Sequence, residues 1–307
     1  MTGPAPTDLI LHHFDASPFS EKVRVVLGMK GLAWGSVTIP SLMPKPDLVP
    51  LSGGYRRTPV MQVGADILCD TQVILAEIEA RHPFQNPTAM QWAVNWWADR
   101  LFFQATVPII FGEIGHLVPE AFIVDRTALS GRPFDVGAMK LAAGPLSAQW
   151  RNQAAWIEAS LKEGQPWLAG ASPGLTDAAT WMNLWFLNHN LPHRLEALLS
   201  GMDRTKAWHE RMGTIGHGQP NAVSSAEALA LAKASTPAIT VDHDPADTLG
   251  ANPGDPVGVM ADDYGKDVVK GTLVAANAGR IVIARDDPQA GRVHVHFPRA
   301  GYIAFKG

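Results

Sequence analysis

One stretch near the start restricts the fold more than any other: Leu9-Ile10-Leu11-His12-His13-Phe14-Asp15-Ala16-Ser17-Pro18-Phe19-Ser20-Glu21-Lys22-Val23-Arg24. The apolar run Leu9 to Leu11 is short and bounded, as a buried strand is. Ser17 precedes a proline suited to the first helical position, where a missing N–H costs nothing, so Ser17 is the natural N-cap. Beyond it Phe19, Val23, Val26 and Leu27 keep helical spacing. The strand therefore delivers a hydroxyl to the positive end of a helix, a place that suits an anion.

The chain continues with a break at Gly31 and Gly35 and a short strand over Ser36 to Ile39, which closes one right-handed crossover unit. Residues 40–56 are rich in proline and glycine and read as loop with at most a short helix. Thr58-Pro59-Val60-Met61-Gln62-Val63 reads as a strand opening on proline, and a turn at Gly64-Ala65-Asp66 leads to a second strand, Ile67-Leu68-Cys69. Asp70-Thr71 then caps a helix that ends near Pro83. The order is β-α-β-loop-β-β-α.

That order resembles the thioredoxin-like domain of glutathione transferases. The resemblance spans residues 9–83 and is carried by three blocks in sequence: Ser17-Pro18-Phe19-Ser20-Glu21-Lys22-Val23-Arg24, Gly53-Gly54-Tyr55-Arg56-Arg57-Thr58-Pro59-Val60, and Gly64-Ala65-Asp66 followed by Cys69-Asp70-Thr71-Gln72-Val73-Ile74. The last two blocks are similar to a bacterial branch of the family, and Ser17 falls where serine-type members place a catalytic serine.

The rest of the chain fits two further units. Residues 88–236 turn helical, as the second domain of that family does, with Trp92, Trp96, Trp97, Leu101 and Phe103 on one broad apolar face. Pro108 is expected to end or kink this first helix. A Gly/Pro-rich loop is expected around Gly131 to Gly144, then helices through Trp150 and Ile157 and from Thr176-Asp177 to about Asn190. Gly174 stands where the family places a capping Ser or Thr, so a weaker cap is expected there. Ser224-Ser225-Ala226-Glu227 is a capping box for a last helix. From Pro237 the pattern becomes short strands between glycine and aspartate turns, resembling a small SH3-like barrel over 240–307 that the family does not explain. The expected fold is thus a thioredoxin-like α/β domain (8–83), an all-helical domain (88–236) and a small all-β domain (240–307).

A chain of 307 residues can hold such a set of cores. Its 46% hydrophobic and 18% charged residues suit a globular protein, and no apolar run approaches a membrane span. With no lysine- or arginine-led apolar leader and a single cysteine, Cys69, the expected compartment is the cytoplasm. The net charge of −4 gives no global attraction to nucleic acid, and from Ala238 onward nine Asp face seven Lys and Arg, which argues against phosphate tracking by the tail. A protein partner or a dimer-covering role fits the tail better.

What the resemblance implies for chemistry follows from the thiol. A free thiol with pKa near 8.5 is only a few per cent ionised at neutral pH. Ser17 would hold glutathione as thiolate through its hydroxyl and the helix dipole, with Ser20 as second donor and helix capping as the alternative role. Pro59 would be a cis-proline that leaves Thr58 to pair with the tripeptide backbone, with a purely structural turn as the alternative. Asp70 and Thr71 would hold the γ-glutamyl end, with helix capping as the alternative, and Arg57, with Arg56 beside it, the glycyl carboxylate, with two ordinary surface arginines as the alternative. Phe19, Trp96, Arg100 and Phe103 are candidates for the electrophile pocket. Cys69 is expected to be buried and inert. His294 and His296 share a strand face with no third ligand, so exposed histidines rather than a metal site are expected, and no metal is assigned to His12 or His13. The expected protein is a homodimeric enzyme that adds glutathione, its co-substrate, to an electrophile. The competing readings are a non-catalytic interaction protein of the same fold and a glutathione-dependent isomerase or reductase.

Overall fold

The computed structural model describes residues 8–85, 88–162 and 165–307, so the expectation about a leader in residues 1–7 lies outside it. In chain order the elements are β1 (Ile10–His13), α1 (Pro18–Met29), β2 (Ala33–Thr38), α2 (Leu48–Ser52), β3 (Val60–Val63), β4 (Asp66–Cys69) and α3 (Thr71–Arg81). Helices α4 (Met90–Trp97), α5 (Phe103–Ile114), α6 (Glu120–Ser130), α7 (Val136–Ser160), α8 (Leu175–Asn190), α9 (Pro192–Leu198) and α10 (Asp203–Gly213) follow. The chain then adds β5 (Gln219–Ala222), α11 (Ser225–Ala234), β6 (Pro256–Ala261), β7 (Val269–Ala276), β8 (Arg280–Asp287), β9 (Gly291–Pro298) and β10 (Tyr302–Lys306).

The first seven elements form the expected thioredoxin-like unit. β1 lies between parallel β2 and antiparallel β3, and β3 pairs with β4. Two later segments extend both edges of this sheet. β5 adds in parallel to β2, and β9 adds in parallel to β4, with Ile67 opposite Val295 and Leu68 opposite His296. The result is one ten-stranded sheet in the order β10-β6-β7-β8-β9-β4-β3-β1-β2-β5. The five C-terminal strands are therefore the expected β region, built onto the first domain edge to edge. β9 has β8 on one side and β4 on the other, so its pairing continues into the N-terminal sheet.

A buried cluster on one side joins Leu11, Val23 and Leu27 to Phe102, Trp150, Trp181 and Trp208 of the helical domain. A second cluster gathers Ile10, Val60 and Ile67 with Leu51, Ala228, Val257, Ile283 and Phe297. The C-terminal strands thus share a core with β1, β3 and β4. At their seam the buried Asp66 carboxylate accepts hydrogen bonds from His296 Nε2 (2.8 Å) and from the amides of Ala238 (2.6 Å) and Ile239 (3.0 Å). His296 is fully buried here, and this corrects the expectation that it is exposed.

Two helical expectations change. Pro108 does not end its helix: α5 runs through it, as α7 runs through Gly137, Gly144 and Pro145, so the expected loop shrinks to residues 131–135. A proline deprives the carbonyl four residues earlier of its partner. Those carbonyls belong to Gln104 and Leu141, both exposed, where water can replace the missing N–H. The irregularity lies upstream instead, in a π-helical turn at Ala98–Phe102 between α4 and α5. At the start of α8, Asp177 accepts from Gly174 N (3.0 Å), Leu168 N (2.7 Å), Ala169 N (3.0 Å) and Trp208 Nε1 (2.8 Å). A Cβ at Gly174 would sit 2.8 Å from that of Ala169, so space rather than capping chemistry requires glycine there. Among the described residues no helix is long and apolar enough to cross a membrane.

Candidate functional site

The site lies where β1 gives way to α1, β3 begins and α3 begins, and each place follows from local sequence. Ser17 is the N-cap of α1: its Oγ accepts from Ser20 N at 3.2 Å, with Pro18 opening the helix. Its side chain is buried, and Ser17 does not line the adjoining cleft. The capping bond uses an acceptor lone pair and leaves the hydroxyl proton free to donate. Ser20 Oγ is buried without a hydrogen-bond partner.

The Thr58–Pro59 peptide is cis, as the resemblance implies; Met43–Pro44 is cis as well, which nothing in the sequence indicated. Lys45 Nζ donates to Thr58 Oγ1 (2.9 Å) and to Arg56 O (3.2 Å) and fixes this bend. Burial and the neighbouring Arg126 push the Lys45 ammonium down to about 8. Asp70 caps α3 through Gln72 N at 2.9 Å with φ of 89°, a conformation in which its carboxylate faces both the helix start and the cleft.

The cleft is lined by Phe19, Arg57, Thr58, Pro59, Asp70, Thr71, Trp96 and Arg100 from among the expected residues. Phe103 stands behind them, edge-on to Phe19 with ring centroids 4.8 Å apart, and does not reach the cleft. Arg56 turns away to Asp125 (2.9 Å). Cys69 is buried and free, and burial raises its thiol well above the ordinary value, the opposite of an activated nucleophile.

Sequence reasoning missed a further set of lining residues: Tyr55, Gln72, Asp99, Asp263 and Tyr264. Asp99 sits in the π-helical turn and pairs with the fully buried Lys22 at 2.8 Å, an ammonium also held by Asn95 Oδ1 at 3.0 Å. Burial raises the Asp99 carboxyl, and Lys22 opposes the shift. The next residue, Arg100, lies over the Trp96 ring, 4.4 Å from its centroid.

The C-terminal strands meet these residues directly. Arg100 pairs with Asp262 (2.7 Å) and Asp263 (2.8 Å), and Arg57 pairs with Asp263, donates to Tyr264 O and lies 4.2 Å from the Tyr264 ring centroid. Tyr302 hydroxyl donates to Asp70 Oδ2 at 3.0 Å and lies 2.9 Å from Tyr55 hydroxyl. Burial, with Asp70 nearby, pushes both phenols well above their ordinary value, so Tyr302 keeps the proton it gives to Asp70, and Tyr55 donates to Tyr302. No local signal in Asp262-Asp263-Tyr264-Gly265 distinguishes it from an ordinary turn.

Comparisons with known proteins agree with this architecture. Residues 11–87 match the family profile described as glutathione S-transferase, N-terminal domain. A solved GST-like protein from Pseudomonas syringae is 34% identical, covers 98% of this chain and 100% of its own, and superposes with a TM-score of 0.80. A glutathione S-transferase from Rhodospirillum rubrum shares the fold at 19% identity, over 67% of this chain and 88% of its own, with a TM-score of 0.51. Rice GST1, solved in complex with glutathione, does so at 17% identity, over 69% and 89%, with a TM-score of 0.50. No curated protein matches the chain.

Proposed function

The chain belongs to the glutathione S-transferase family, and from that premise we propose that it binds glutathione in the cleft between β3, α3 and α4 and adds its thiolate to an electrophile. The observation that carries this reading is convergence. Arg57, Thr58, Pro59, Asp70 and Thr71, which the resemblance assigns to glutathione, come from two separate stretches and line one cleft beside the start of α1.

In this reading Thr58 pairs with the tripeptide backbone, Thr71 and the amides at the start of α3 take the γ-glutamyl carboxylate, and Asp70 takes its ammonium. Arg57 takes the glycyl carboxylate. The Ser17 hydroxyl proton, free of its capping duty, is the donor that stabilises the thiolate. Trp96 and Arg100, with Phe19, border the electrophile. Residues 8–83 hold glutathione, 88–236 the co-substrate side, and 240–307 regulate access or meet a partner. The protein works in the cytoplasm as a homodimer, which sedimentation would test.

A second reading, a non-catalytic interaction protein, draws support from one observation: Ser17 is buried as a helix cap and does not line the cleft. Calorimetric titration with glutathione separates the two, followed by Ser17→Ala with a chromogenic aryl halide as electrophile. Binding together with activity lost in the variant supports the enzyme. Binding with no turnover in either form supports the interaction protein, and absence of binding at millimolar glutathione removes the enzyme.

A further inference from the structure

The groups that the proposed function assigns to glutathione are already engaged within the chain. Asp263, in the turn between β6 and β7, places a carboxylate on Arg57 and Arg100, the chemistry a glycyl carboxylate would bring. Tyr302, at the start of β10, gives Asp70 the hydrogen bond an ammonium would give. Tyr264 covers Arg57, and the turn is pinned by Gly265 N to Leu129 O on α6 (2.6 Å). Gly301 closes the other side: a Cβ there would meet Arg100 Nη2 at 2.5 Å and Trp96 at 3.0 Å, so its φ of +82° and missing side chain allow the β9–β10 turn to lie on both. The cavity left is about 40 Å³. That is room for a few water molecules, whereas pockets for small organic ligands are roughly 300–1,000 Å³.

We infer that the C-terminal strands act as an internal latch on this site, with Asp263 and Tyr302 as intramolecular competitors for the glycyl and γ-glutamyl ends of glutathione. The inference rests on the glutathione reading above. Asp263 and Tyr264 fill the space the tripeptide needs at Arg57, so binding requires the 262–265 turn to leave Arg57, and the ammonium then competes with the Tyr302 hydroxyl for the Asp70 carboxylate. The apparent dissociation constant is then the intrinsic one divided by the fraction of molecules with the latch open. Removing a latch contact while leaving Arg57 and Asp70 in place raises that fraction and tightens binding. A segment that instead helped to hold the tripeptide would show the opposite response.

The test is calorimetric titration of the full chain with glutathione, comparing the wild type with Asp263→Asn and with Tyr302→Phe. Each variant is nearly isosteric, and either one suffices if the other does not fold. Binding tighter by about ten-fold or more in a folded variant is expected. In the wild type, saturating glutathione should also speed hydrogen exchange at residues 262–265. Measurable binding that is unchanged or weaker in the variants overturns the latch and leaves the glutathione reading standing. Absence of binding to every form at millimolar ligand overturns the glutathione reading and the latch with it.

Discussion

Replacing Asp66 with alanine tests whether the C-terminal strands are part of the N-terminal sheet in energy as well as in geometry. The carboxylate is fully buried and accepts from His296 Nε2, Ala238 N and Ile239 N at 2.6–3.0 Å. Burial alone would raise this carboxyl, but the His296 bond and the two amides hold it below the ordinary range, so it is charged at neutral pH. Burial lowers His296, which stays neutral and donates from Nε2. Each hydrogen bond to a charged group contributes roughly 1.5–3 kcal/mol, and alanine leaves the buried His296 donor and two part-buried amides without their acceptor. Relief from burying a carboxylate offsets part of this, leaving a loss of about 3–5 kcal/mol. That is a large share of the roughly 5–15 kcal/mol that holds a typical domain. The assay is urea unfolding followed by tryptophan fluorescence, because all ten tryptophans lie between residues 34 and 208, outside the C-terminal strands. A single shared core predicts that the tryptophan midpoint falls by the full amount and coincides with the loss of circular dichroism. A tryptophan transition that stays within about 0.5 kcal/mol of wild type would show that the C-terminal strands melt alone, and would refute the continuous sheet as an energetic unit.

Other consequences are open to measurement. Burial depresses His12, His13 and His209 to about 4, so the unfolded chain binds protons that the folded one refuses. Their stability contribution is present above pH 6.5 and is lost as pH falls from there towards 4, on the order of 3 kcal/mol for the buried His12 alone; His12→Gln should flatten the dependence of the urea midpoint on pH in that window. Asp177→Ala removes an acceptor shared by three amides and the Trp208 indole and should cost about 3–5 kcal/mol in urea unfolding, with the Trp208 environment changed in the fluorescence of the native state. Ser17→Ala should cost about 0.5–2 kcal/mol through the lost cap of α1, so its thermal midpoint and its transfer rate are to be measured together, and a rate loss far beyond the stability change assigns the hydroxyl a role in chemistry. Gly301→Ala forces a side chain against Arg100 and into a positive φ, and should lower the melting temperature by the equivalent of about 1–3 kcal/mol.

The sequence was most readable where structure is set by near neighbours. Ser17-Pro18 marked the start of α1, Asp70 that of α3 and Ser224 with Glu227 that of α11, because each cap bonds within three residues of itself. The strand order up to β4 followed from alternation and turns. The parallel pairing of β4 with β9 was not readable: it joins residues 66–68 to residues 294–296, and a strand pattern says nothing about which edge it will meet. For the same reason His296 looked like an exposed histidine, since its partner Asp66 is distant in sequence. The uninterrupted passage of α5 and α7 through proline depends on tertiary packing and on exposed carbonyls, which local rules penalise without seeing. At the site, Arg57 and Asp70 were identifiable from their blocks, whereas Asp263, Tyr264 and Tyr302 reach them only because the whole C-terminal sheet is docked there.

Glutathione bound as proposed carries its sulfur as a thiolate at the start of α1. Titrating the ultraviolet thiolate absorbance of the protein–glutathione complex against pH tests it most directly. The expected result is a thiol pKa at least about one unit below the free value near 8.5, with Ser17→Ala returning it most of the way. A bound thiol that titrates at the free value, or identical curves for wild type and Ser17→Ala, would contradict it.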